Sequence, residues 1–183
     1  TGVQTCALPI CEAADQLIAH HLDPVEGGFF TTPDDGERLI VRQKDLIDNA
    51  TPSANSVAAV ALQRLSALTG VEHYRQHAEA VMKLLARIVE SAPTAFPHLM
   101  CALHLHHVGV TEIAVTGKRG ELVQYLHSQW LPTVVLAWGE RFDTPLFADR
   151  QDGMAYVCRQ YACQAPATSR DELSAALRVA LSA

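Results

Sequence analysis

TPSANSVAAVALQRLSALTGVEHYRQHAEAVMKLLARIV, residues 51–89, reads as two amphipathic helices set back to back. Thr51-Pro52 predicts the start of the first: Thr caps free amides, and Pro at the first helical position has no amide to lose. Its apolar stripe is expected at Val57, Ala61, Leu65 and Leu68, widened by Ala58 and Leu62. Thr69-Gly70 ends it. The second helix carries Tyr74, Ala78, Val81, Met82, Leu85, Ile88 and Val89, spaced three and four apart on one face. Two such helices joined by a short Gly turn predict an antiparallel hairpin. Pro93 closes the second helix, and a third is expected to bury Phe96, Leu99, Met100 and Leu103.

Upstream, residues 12–22 fit the last turns of a helix, with Ala13, Leu17 and Ile18 on its apolar side. GGFFTTPDDGERLIV, residues 27–41, predicts a loop and a short hairpin, with Phe29 and Phe30 on one arm and Leu39 to Val41 on the other. Asp34, Asp35 and Gly36 supply its turn, because Asp and Gly tolerate positive φ. Downstream of Gly109 the pattern changes. TEIAVTG, RGELVQYLHSQWL and TVVLAWG read as strand, helix and strand, a βαβ unit with parallel strands. GMAYVCRQY offers a third strand, and SRDELSAALRVALSA a final helix with Ser169 and Glu172 as a capping box.

The bulk numbers exclude several function classes. The chain has 183 residues, 49% of them hydrophobic and 19% charged, which is the composition of a globular protein. Its 14 Lys and Arg against 20 Asp and Glu give a net charge of −6, and no basic cluster is present to bind a nucleic-acid backbone. No apolar run reaches the roughly 20 residues of a membrane span. The expected setting is cytoplasmic. TGVQTCALPI, residues 1–10, has neither the basic start nor the apolar centre of a signal peptide and reads as adapter-derived, non-native sequence. The expected organisation is therefore that segment, then helical hairpins over 11–109, then an α/β extension over 110–183. The chain reads as the C-terminal part of a longer protein.

The polar residues gather just ahead of the first hairpin, in RQKDLIDNATPSANS, residues 42–56. A helix start presents unpaired amides and partial positive charge, which suit anionic or hydroxyl-rich ligands. Arg42 and Lys44 are expected to share one strand face. Asp48 is the candidate catalytic acid or base, or a bridge between two sugar hydroxyls. Phe30, Arg42, Lys44, Asp48, Asn49, Ser53 and Asn55 are the candidate ligand contacts. The same residues also fit a capping network in which Asp48 and Ser53 accept backbone amides and Arg42 pairs with Asp45. A glycosidase needs two carboxylates about 5–9.5 Å apart, and no second partner for Asp48 stands out.

Two histidine groups have partial metal-ligand spacing: His73 with His77, and Cys101 with His104, His106 and His107. Neither assembles four converging ligands, so the reading assigns no metal and no cofactor. Cys158 and Cys163 are a redox or disulfide candidate. On one continuous strand they would lie about 16 Å apart, so a bridge requires a turn at residues 160–162. Free thiols are the expected state in a reducing compartment.

Three blocks carry a resemblance: GGFFTT, VRQKDLIDNATPSANS with the helix after it, and the tail from PLF to AYVCRQYACQAP. Together they resemble the YyaL / spermatogenesis-associated protein 20 family of thioredoxin domain-containing proteins. The resemblance implies an N-terminal thioredoxin-like domain followed by an α/α toroid of helical hairpins, similar to six-hairpin glycosidases and sugar epimerases. The expected fold is thus mainly α, a partial toroid with a small C-terminal α/β extension. The expected function is part of a carbohydrate- or metabolite-binding toroid, inactive as a fragment. The alternatives are a scaffold for the parent's thioredoxin-like domain and a metal-binding module. The implied partners are a sugar or other small molecule and that thioredoxin-like domain. Cys158 and Cys163 match the family's tail.

Overall fold

The computed structural model describes residues 7–37, 40–139 and 142–182. It is mostly helical, with a four-stranded mixed sheet toward the C-terminus. Two compact units divide it: one holds residues 1–66 and 71–107, the other 67–70 and 108–183.

The first unit contains α1 (Ala7–His21), α2 (Ala54–Thr69), α3 (Glu72–Ser91) and α4 (Pro97–Val108). Its core joins Phe29 to Ala58, Ala59, Leu62 and Leu65 of α2, to the α3 stripe, and to Phe96, Leu99 and Ala102. The expected α3 face is the buried one from Tyr74 to Val89, except that Ile88 stands exposed. On α2 the face is rotated from the expected stripe. Val57 is 45% exposed and Ala61 lies outward, while Asn55, Ser56, Gln63 and Ser66 are buried. Hydrogen bonds account for the rotation: Gln63 Nε2 donates to the carbonyls of Ala59 and Ala102, so a polar side chain is satisfied facing α4. Ser53, rather than Thr51, caps α2, accepting the Ser56 amide at 3.2 Å. On α4, Met100 is exposed and Leu105 is buried in its stead.

The expected hairpin after α1 does not form among the described residues. Phe29 pairs in an isolated antiparallel bridge with Leu22, and the Phe30 amide donates to His21. Ile40 and Val41 lie exposed in a bend, and Leu39 falls outside the described residues. Positive φ occurs at Gly27 and Gly28, not at Asp34, Asp35 or Gly36. A Cβ on Gly28 would come within 2.9 Å of both the Asn55 side-chain oxygen and Leu84, so the chain needs glycine there to pass over α2.

The second unit contains β1 (Thr111–Val115), α5 (Gly120–His127), β2 (Val134–Trp138), β3 (Ala155–Arg159), β4 (Ala162–Cys163) and α6 (Arg170–Ser182). The expected βαβ unit is present, with β1 parallel to β2 in register Thr111↔Val134. β3 runs antiparallel to β1, and β4 to β3, giving the order β2-β1-β3-β4. One sheet face packs Ile113, Val115 and Val157 against α5 and α6 through Leu122, Leu126, Leu173 and Leu177. The other face gathers Ala114, Ala137, Tyr156 and Cys158 with Leu146 and Phe147. Ser169 and Glu172 form the reciprocal capping box of α6, their amides and side chains exchanging bonds of 3.1 and 3.3 Å. Among the described residues no helix is long and apolar enough to cross a membrane.

Candidate functional site

Residues 22–37 and 40–53 are irregular and are held down by the polar side chains of segment 42–56. Arg42 donates from Nε and Nη2 to the Thr32 carbonyl at 3.1 and 2.7 Å, and from Nη2 to that of His20 at 2.8 Å. It does not pair with Asp45. Lys44, nearly buried, bonds Asp23 at 2.7 Å and the Gly27 carbonyl at 2.8 Å. Lys44 and the amide of Val25 draw the Asp23 carboxyl down to about 2. The Arg42 and Lys44 cations both lie over the Phe30 ring, at 4.3 and 5.2 Å from its centroid. Convergence on one ring takes the place of the expected shared strand face.

Asn55 and Asp48 are more deeply placed. Asn55 accepts the Phe29 amide at 2.7 Å and donates to the carbonyls of Phe29 and Asp45 at 2.9 and 2.8 Å. It substitutes a side-chain amide for a strand partner. Asp48 Oδ1 accepts the Ser53 amide at 2.8 Å, and Oδ2 accepts the amides of His98 and Leu99 at 2.7 and 3.2 Å. One carboxylate thus serves the residue that caps α2 and the first turn of α4 together. Burial raises its pKa, but those three amides and the Ser56 hydroxyl outweigh it and hold the carboxyl below the usual range. Asp45 Oδ2 accepts the Ala54 amide at 3.0 Å. Ser53 is buried and bonds the Ser56 hydroxyl at 2.9 Å. Asn49 stands apart, its exposed side chain reaching only the Ile47 carbonyl at 3.5 Å.

The structure also assembles a group that the sequence reading missed. His20 Nδ1 lies 2.9 Å from Asp34 and 3.6 Å from Asp35, and these three side chains offer ligand atoms within 4.8 Å of one another. The Asp34 bond raises the His20 pKa against the opposing effect of burial. His20 and Asp35 line a surface groove of about 450 Å³ together with Ala13, Gln16, Leu17, His21 and Pro33. The 14-position separation of His20 and Asp34 hid the grouping from any spacing rule. Cys101, His104, His106 and His107 are all exposed on α4, and the His73 and His77 rings lie 6.1 Å apart on α3.

In the second unit the pair Cys158 and Cys163 is a disulfide, not free thiols. Gln160 and Tyr161 take φ of 50° and 62°, and this left-handed turn reverses the strand and sets the two cysteines opposite each other. Glu112, 3% exposed, is the β1 partner of Cys158 and accepts the Tyr161 amide at 3.5 Å. Burial pushes its carboxyl pKa up, and the amides of Tyr161 and Gln160 and the charge of Arg159 only partly offset this.

The chain is 31% identical to spermatogenesis-associated protein 20 of Homo sapiens over 91% of its length, and 28% identical to the Mus musculus protein over the same share. The chain is a distant homologue of spermatogenesis-associated protein 20. It spans 23% of the length of those relatives. An uncharacterised protein of Caenorhabditis elegans is 25% identical over 80% of the chain. No family model matches.

Proposed function

We propose that segment 42–56 is a structural tie and that the chain is a non-catalytic scaffold within a longer protein related to spermatogenesis-associated protein 20. In that protein it supports the thioredoxin-like domain implied by the resemblance. The observation that carries this reading is Asp48: its two oxygens take three backbone amides from two helix starts. A carboxylate so engaged, with a depressed pKa, is ionised near neutral pH and has no proton to donate as a general acid. Arg42, Lys44 and Asn55 are likewise bonded to backbone carbonyls. The test is Asp48→Ala in the full chain. The scaffold reading expects a fall in thermal midpoint of several degrees or more, while an unchanged midpoint would return Asp48 to ligand chemistry.

A second reading is the wall of a carbohydrate- or metabolite-binding α/α toroid. The groove beside His20, with Asp35 in its lining and the Arg42–Phe30 stack nearby in the chain, favours it. Sugar hydroxyls suit such paired donors and acceptors. Saturation-transfer NMR against neutral mono- and disaccharides tests it: a signal that His20→Ala abolishes supports the wall, and no signal removes it.

A further inference from the structure

The β3–β4 turn gathers two sulfurs and one guanidinium on the same sheet face. Arg150 Nη2 lies 2.8 Å from Cys163 Sγ and 3.9 Å from Cys158 Sγ. The guanidinium is held there from two sides: Nε donates to the Leu146 carbonyl at 3.3 Å, and its plane lies 4.7 Å from the Tyr156 ring centroid. Among the described residues these contacts include no carboxylate. The two sulfurs differ in access, since Cys158 is 1% exposed and Cys163 is half-buried.

We propose that Cys158 and Cys163 form a thiol–disulfide exchange centre, with Cys163 as the attacking sulfur, Arg150 holding it as thiolate, and Cys158 as the resolving thiol. The reaction partner is a small or protein disulfide. In the reduced chain Cys163 Sγ⁻ attacks one sulfur of the partner, whose S–S bond breaks, and the other partner sulfur leaves as a thiolate with the bonding pair. Cys158 then gives up its proton to solvent and attacks Cys163 Sγ, forming the bridge seen in the structure and expelling the second partner sulfur. Two electrons pass from the Cys158–Cys163 pair to the partner disulfide; the one proton lost, from Cys158, goes to solvent, and the two partner sulfurs leave as thiolates that take up protons from solvent. A protein or small-molecule dithiol restores the reduced chain by the reverse sequence.

The chemistry follows from placement. A free thiol ionises near pH 8.5, and a cation at hydrogen-bonding distance favours the thiolate. The cation sits closer to the sulfur that a partner can reach, and burial keeps the other as a thiol until it is needed. Among the described residues, the other titratable groups on this face are Tyr156, Tyr161 and the buried Glu112, which accepts the Tyr161 amide and positions the turn.

Cys101, exposed on α4, is an internal standard within the same molecule. In the reduced wild-type chain, alkylation by iodoacetamide is followed at each cysteine by mass spectrometry across pH. The half-maximal rate of Cys163 is expected at a pH about one unit or more below that of Cys101, and Arg150→Met should close the gap. A Cys163 midpoint at or above that of Cys101 overturns the proposal, as does an Arg150→Met midpoint that stays low. With oxidised glutathione as the probe, the wild-type chain should close its bridge and release both glutathiones. Cys158→Ser should retain one glutathione on Cys163, and glutathione found on Cys101 alone also overturns the proposal.

Discussion

Asp48 and Glu112 are both buried carboxylates, 7% and 3% exposed, yet their pKa values move in opposite directions. Burial by itself raises both. The difference is the hydrogen-bond supply: Asp48 meets three amides at 2.7 to 3.2 Å, whereas the amide of Tyr161 reaches Glu112 at 3.5 Å. The comparison teaches that the sign of a buried acid's contribution is set by the amides aimed at it. It also separates a tie that strengthens its unit from a charge that weakens one.

The largest effect should come from Asp48→Ala, which orphans buried amides at two helix starts. A loss of roughly 3 kcal/mol is expected by urea unfolding. Glu112→Gln should do the opposite at neutral pH. It removes an ionisable group from the core while keeping an acceptor for the Tyr161 amide, with a gain on the order of 1 kcal/mol. A Glu112→Gln chain less stable than wild type would break the comparison.

pH sharpens it further. The folded pKa of Asp48 lies below the unfolded value of about 3.9, so its stabilisation is full above that pH and is lost as pH falls through the folded value. The folded pKa of Glu112 lies above the unfolded value of about 4.3. Its favourable contribution is full below that pH and is lost as pH rises through the folded value. Acid unfolding curves should therefore flatten at the low end in Asp48→Ala, and lose their decline above about pH 4.3 in Glu112→Gln. The smallest effect is expected at the turn. Gln160 is exposed at φ 50°, and Gln160→Gly should raise the thermal midpoint slightly, by about 0.5–1 kcal/mol of relieved backbone cost.

The second unit was the more legible of the two. β1, α5, β2 and α6 follow from period and capping residues, because each is a short element with its punctuation beside it. The first unit was legible where apolar spacing ruled, as on α3, and misread where polar side chains turn inward. Gln63 looks like a solvent residue until Ala102, 39 positions on, presents its carbonyl. The irregular residues 22–37 and 40–53 were misread in part as a hairpin, since their order comes from side chains bonding distant backbone. The polar density of segment 42–56 was plain, but its use was not: Asp48 reaches His98 across 50 residues. The cross-strand bridge was legible only as a condition, a turn at residues 160–162. Gln160 and Tyr161 are not residues that advertise a left-handed turn, so free thiols were the expected state of Cys158 and Cys163.

That bridge has a thermodynamic corollary. Cys158 and Cys163 are five positions apart, so the covalent loop they close is among the smallest an antiparallel pair can make. Tying so short a loop removes little freedom from the unfolded chain, about 2 kcal/mol by the chain-entropy relation. The β3 ladder to β1 and the Tyr161 hydroxyl bond to the Ala67 carbonyl do not depend on the sulfur link. Opening it is therefore expected to leave the unit folded, so that the chain can pass between its two oxidation states without a new fold.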